Sequence, residues 1–410
     1  MSKIVDVKAH EILDSRGYPT VETTVTTEKG YSGTYSVSSG NNISSKEAVE
    51  LRDNDERYFG KGVLKAINNV NTIIKDNIIG LEISHQKEID EKLIELDGTD
   101  NKSNLGANAI LSVSIACLKA AAKESNKEIF EYLSPNHHKI PKAMFTLING
   151  GVHSKNNIDI QDFMIIPKME TFMETLRSGA EIFHELKSLL DKEGYSTSTC
   201  DAGGFTPGLT DNKTVLNYII KSIESAGYHP GKDVFLAIDV AATTLYDDTK
   251  KTYKMDSKFL SKEELLDYYL DLVKNYPIIS IEDPYADTDI EGFKLISEKL
   301  SKGMNISGDK LFVTNKNELK KGIGEHICNS IVIKPNQVGT FYEMLETIVL
   351  ARKNNYTCVM SHRIGETCDT FIIDAAVALE IPFIKCGSIS RGEIISKYNR
   401  LLEIERKLNE

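Results

Sequence analysis

The chain has 410 residues, 40% of them apolar and 27% charged, with a formal net charge of −11. This is ordinary globular composition with length for two or three domains, or one large barrel with an appendage, and it excludes disordered, collagen-like and coiled-coil classes. The acidic balance argues against a nucleic-acid partner, and no apolar run approaches the roughly 20 residues that cross a bilayer. Met1 to Asp6 carries no hydrophobic signal region, and the six cysteines are scattered without a CxxC pair. A reducing, cytoplasmic location is therefore expected.

The first 30 residues read as strands: Val5 and Val7, then Val21, Thr23 and Val25 alternate on either side of a turn at Asp14 to Pro19. Ser36 to Ser45 is small, polar and without period, which fits either a solvated loop or an active-site lid. Residues 46 to 134 follow a helical period. Within them Asn108 to Ala122 is apolar nearly all round, the mark of a buried helix. Ser134 to Pro141 holds two prolines and no helical pattern, so a boundary is placed there, giving domains 1–134 and 141–410.

Beyond it, six short β-rich runs alternate with helical stretches: Val234 to Asp239, Ile278 to Glu282, Ile306 to Asp309, Ser330 to Lys334, Thr357 to His362 and Phe383 to Ser388. Such alternation implies parallel βα units, with room for an eight-stranded barrel. An open doubly wound sheet is the competitor, though no GxGxxG opens any unit. The runs carry Asp239, Glu282, Asp309, Lys334, His362 and Lys385 at or near their ends, three acids followed by three bases. In a (β/α)₈ barrel the strand ends converge on one face. Three carboxylates there form an oxygen cage suited to Mg²⁺. A lysine beside them is equipped to take a proton from a carbon next to a carboxylate, whose growing negative charge a cation neutralises.

Particular stretches then carry a resemblance. Ile12 to Gly17 reads ILDSRG, Leu96 to Ser103 reads LDGTDNKS, and Leu105 to Leu111 reads LGANAIL. Ile148 to Gly151, Gln161 to Ile165, Ser280 to Pro284, Ser361 to Arg363, Gly365 to Thr367 and Lys397 to Asn399 add to them. Over nearly its whole length the sequence resembles the enolase family. The resemblance implies an α+β N-terminal domain followed by a β₂α₂(βα)₆ (TIM-like) barrel, usually as a homodimer or octamer. It implies a small phosphorylated carboxylate as substrate, 2-phosphoglycerate, dehydrated with Mg²⁺. By the same resemblance Asp239, Glu282 and Asp309 match the metal ligands, Lys334 the base, and Lys385 the lysine that pairs with the substrate carboxylate. His153 matches the histidine near the leaving hydroxyl, Arg363 the phosphate-holding arginine with His362 beside it, and Asp162 a catalytic glutamate shortened by one methylene.

The resemblance fails on one side of the site. The family's Gly-Asp-Glu-Gly-Gly is Cys200-Asp201-Ala202-Gly203-Gly204 here, which removes the acid that helps hydroxide leave. Asn42 stands for the lid serine that helps hold a second metal, and Ile364 for a phosphate-contacting serine. Lys310 replaces an aspartate and is expected either to pair with a neighbour or to point outward. A positioned acid is worth about 10²- to 10⁴-fold in rate. Three readings follow: a dehydratase with Asp162, Asp201 or His153 covering for the lost acid; a paralogue that abstracts an α-proton from a related carboxylate or phosphonate; or an inactive homologue kept for binding.

Overall fold

The computed structural model of the chain describes residues 2–40 and 44–410; the lid position Asn42 lies outside the described residues. Near the N-terminus, β1 (Ile4–Leu13), β2 (Pro19–Thr27) and β3 (Ser32–Ser36) form an antiparallel sheet in that order. The β1–β2 turn is closed by Asp14, whose carboxylate accepts the backbone N–H of Arg16 and of Tyr18. Alternation sends Val21, Thr23 and Val25 inward, onto the helix Ala107–Glu124. That helix is buried on nearly every face because the sheet covers one side and other helices the rest, as its uniform apolarity requires. β3 approaches it so closely that a Cβ on Gly33 would stand 2.2 Å from the carbonyl oxygen of Ala116.

The second sheet begins with β4 (Lys142–Ala143), β5 (Phe145–Asn149), β6 (Asp162–Pro167) and β7 (Val234–Asp239). A small antiparallel excursion, β8 (Tyr246–Asp247), β9 (Thr252–Met255) and β10 (Lys258–Leu260), interrupts it. The sheet then resumes with β11 (Ile278–Glu282), β12 (Asn305–Gly308), β13 (Ser330–Ile333), β14 (Thr357–Ser361) and β15 (Phe383–Lys385). Its order is β4-β15-β14-β13-β12-β11-β7-β6-β5. β4 and β5 are one stretch of chain broken only at Met144, whose N–H donates to Ile384 O at 2.8 Å, so the two edges of the sheet meet and the barrel closes. An open doubly wound sheet is thereby excluded.

Direction within the barrel matters for the site. β7 and the strands that follow it in the wall run parallel, whereas β6 is antiparallel to both β5 and β7. The first residue of β6, Asp162, therefore sits opposite the last residue of β7, Asp239. Both belong to the mouth toward which the parallel strands point. The same two-residue period that places Met164, Ala237 and Val359 in a small apolar cluster carries Asp162, Asp239 and Ser361 to the polar end of their strands. The N-terminal segment closes over this mouth. Ser39 and Gly365 exchange backbone hydrogen bonds at 2.6 and 2.9 Å, and Asn336 Nδ2 donates to Ser38 O at 3.0 Å. No helix among the described residues is long and apolar enough to cross a membrane.

Gly33→Ala is expected to lower stability by about 1–3 kcal/mol in urea unfolding, because the clash is with backbone rather than a side-chain tip. Gly208→Ala, where nothing lies within 4 Å of the added Cβ, is the control and should not destabilise.

Candidate active site at the barrel mouth

Lys385, the last residue of β15, is the centre of the site. Its Nζ lies 3.0 Å from Asp239 Oδ2 and 2.6 Å from Glu282 Oε1, and all three side chains are buried. Burial opposes the lysine's charge, but Asp239 and Glu282 outweigh it and hold the pKa well above the ordinary lysine value. Just past the end of β13, two strands away in the wall, Lys334 donates to Asp309 Oδ2, while Gln337 Nε2 donates to Asp309 Oδ1 at 3.0 Å. Burial pushes Asp309 up, yet Lys334 and Lys385 overcome this and keep it well below the usual carboxylate range.

Three carboxylates against two ammonium groups leave one negative charge in excess. Glu282 is the member that most readily takes up a balancing proton: burial first, then repulsion from Asp239, raises its pKa well above the ordinary value despite Lys385. A hard divalent cation suits so crowded an oxygen-only donor set. In the conformation seen, the oxygens are turned onto lysine and glutamine donors, and among the described residues no three acidic, histidine or cysteine side chains converge on one point. The donor chemistry fits Mg²⁺, and the lysines hold the oxygens that would receive it.

His153 and Asp162 face each other, with Nδ1 and Oδ1 3.3 Å apart, and Asn149 Nδ2 also donates to Asp162. Burial works against the Asp162 carboxylate, but His153 and Lys385 lower its pKa below the usual value, so it is ionised. His362 is the reverse case. Burial and the neighbouring Lys385 push it well below the ordinary histidine value, and Nδ1 of its neutral ring has no hydrogen-bond partner among the described residues.

Arg363 is fixed from two sides. Its guanidinium meets Glu47 Oε2 at 2.8 Å, and its backbone N–H donates to Glu366, whose other oxygen lies 2.8 Å from the fully buried Lys397. The lysine of the Lys397-Tyr398-Asn399 stretch thus holds the turn on which the arginine stands.

One cavity is lined by His153, Asp162, Asp239, Asp309, Lys334, His362, Arg363 and Lys385 together, with Glu282 buried behind Lys385. Every site residue expected from the sequence therefore gathers at this mouth. Ile364 lines the cavity too, presenting a hydrocarbon where the resemblance implies a hydroxyl. Ala202 is buried, does not line the cavity, and its carbonyl accepts the N–H of Ser388. Of the three residues considered as replacements for the missing acid, Asp201 drops out. Its side chain is 52% exposed and turned toward Arg391, 4.0 Å away, while Asp162 and His153 remain.

Lys310 meets neither expectation: it is 7% exposed, lines the cavity, and has no ion pair among the described residues. Glu47, Gln161 and Gln337 were not singled out from sequence. Gln161 and Gln337 stand beside residues that were, and each donates to a carboxylate of the cluster. Glu47 lies in a polar stretch with no pattern to mark it.

A barrel whose strand ends gather acids and lysines under an N-terminal cover defines the class of protein. Residues 4–133 match the family model described as enolase, N-terminal domain, and residues 137–410 that described as enolase, C-terminal TIM barrel domain. The chain belongs to the enolase family.

Lys385→Met should cost about 3–5 kcal/mol at pH 8 by leaving buried carboxylates uncompensated. A carboxyl whose folded pKa lies above its unfolded one binds more protons when native, so acidification relieves the variant. The stability difference from the native protein should shrink between pH 8 and pH 5 in urea unfolding; a difference independent of pH contradicts the role given to Glu282.

Proposed function

We propose that this protein is an enolase-type hydro-lyase that converts 2-phosphoglycerate to phosphoenolpyruvate, reversibly and with Mg²⁺, in the cytoplasm and as a homo-oligomer. The observation that carries the reading is the pair of lysines, Lys334 and Lys385, set on three strand-end carboxylates inside a covered pocket. Such a pocket suits a small anionic substrate.

Bound by Asp239, Glu282 and Asp309, Mg²⁺ would neutralise charge on the substrate carboxylate while the adjacent carbon is deprotonated. Lys334 takes that proton. An ammonium has no lone pair to offer, so Lys334 acts as base only as the neutral amine, after Asp309 has turned away and one ammonium proton has passed to solvent. Lys385 remains charged and pairs with the substrate carboxylate. Arg363 and His362, on the turn fixed by Glu366 and Lys397, receive the phosphate. The leaving hydroxide needs a proton. Asp162 is ionised and cannot give one, which leaves the imidazole of His153, facing it at 3.3 Å, as the donor.

Ala202 favours a second reading, a paralogue that removes an α-proton from a related carboxylate or phosphonate, because no carboxylic acid reaches the leaving-group side from that loop.

A coupled assay for phosphoenolpyruvate from 2-phosphoglycerate with Mg²⁺ tests the proposal. Lys334→Ala should abolish turnover with the fold intact, and retained turnover removes Lys334 as base. Ala202→Glu should speed dehydration by up to about 10²- to 10⁴-fold. A native rate that Ala202→Glu leaves unchanged would mean that His153 already suffices.

A further inference from the structure

Among the described residues, the other lysines and the arginine that line the cavity are already committed to anions. Lys334 is held by Asp309, Lys385 by Asp239 and Glu282, and Arg363 by Glu47. Lys310 is different. The residue is more than nine-tenths buried, its Nζ has no hydrogen-bond partner among the described residues, and it lines the same cavity. Nor is this a loosely placed residue, since its backbone N–H donates to Asp283 Oδ2 at 3.0 Å and that of Asp309 to Asp283 Oδ1 at 2.8 Å.

An ammonium taken out of water with nothing to receive its hydrogens is unfavourable, and a long flexible side chain normally escapes by reaching solvent. Here it does not. Stability given up inside a pocket is recovered when a ligand supplies the missing partner. Ile364, on the wall of the same cavity, has meanwhile no hydroxyl to offer an anion.

We infer that Lys310 is a substrate-binding residue, whose ammonium receives an oxyanion of the ligand, a phosphoryl or carboxylate oxygen, within the cavity. The polar grip that position 364 lacks is thereby supplied from position 310, and as a full charge rather than a dipole. The pocket should then bind small oxyanions even when no divalent cation is present. This rests on the reading of the cavity as the site for a phosphorylated carboxylate, but not on which bond is later broken.

The test is calorimetric titration of the full chain with inorganic phosphate and with 2-phosphoglycerate, each in EDTA and in Mg²⁺. Native protein should bind both anions in EDTA. Lys310→Met should weaken each by about 10- to 100-fold, the worth of one hydrogen bond to a charged group. The same variant without ligand should melt at a higher temperature than native protein and lose the upward shift that phosphate gives. Lys310→Gln provides the same comparison if Lys310→Met does not fold. Affinities within twofold of native in the neutral variant, or no binding of either anion by native protein in EDTA, would overturn the inference. Phosphate binding that depends on Lys310 without any dehydration of 2-phosphoglycerate would remove the proposed reaction and leave this residue's role standing.

Discussion

Everything at the mouth of this barrel depends on charges that cannot escape to water. Lys385 sits between Asp239 and Glu282, and Lys334 on Asp309, all with side chains at most about one-eighth exposed. In such surroundings an ion pair stabilises chiefly by preventing the cost of a lone buried charge. Removing any one member exposes the others to that cost. Because three carboxylates outnumber two lysines, the cluster is balanced only when something positive, a proton or a cation, joins it.

Backbone conformation aims these groups. Ala241, Asp283, Val313 and Thr314, each a few residues beyond the end of a barrel strand, all have positive φ, at 48°, 43°, 43° and 56°. For the β-branched Val313 and Thr314 this is a strained conformation, and strain of this kind gathers where a site needs it. Thr314 shows what is gained. Its Oγ1 accepts the backbone N–H of Lys334 at 2.9 Å and donates to Gln337 Oε1 at 2.5 Å, and Gln337 in turn holds Asp309. One strained threonine thus sets both members of the Lys334–Asp309 pair. Asp283 does similar service for the turn at Asp309 and Lys310, and burial together with Asp309 raises its own pKa to about 7.

The parallel half of the barrel was legible in the sequence because a buried strand ending at a polar mouth leaves a mark: an apolar run that stops at an acid or a base. Asp239, Glu282, Asp309, Lys334, His362 and Lys385 were all found that way. Asp162 could not be, since β6 runs in the opposite sense and brings its first residue to the mouth; only the family resemblance marked it. The isolated motif around Lys397 gave no hint of purpose until the buried pair with Glu366 placed it beneath Arg363. Lys310 departs from both expectations for a plain physical reason. Lysines are almost always solvated or paired, and nothing in a linear sequence reports that one is neither.

The departures from the family pattern fall on different groups from those that would take the proton. Ala202 and Ile364 remove an acid and a hydroxyl, whereas the lysine and carboxylate cluster is complete. For the proposed dehydration of 2-phosphoglycerate, deprotonation at C2 should therefore be easier than expulsion of hydroxide from C3. Proton NMR of 2-phosphoglycerate in deuterated buffer with Mg²⁺ measures the two separately. Loss of the C2 proton signal should outrun the appearance of phosphoenolpyruvate. Bound 2-phosphoglycerate whose C2 proton never exchanges, or dehydration with no excess exchange at all, would contradict it.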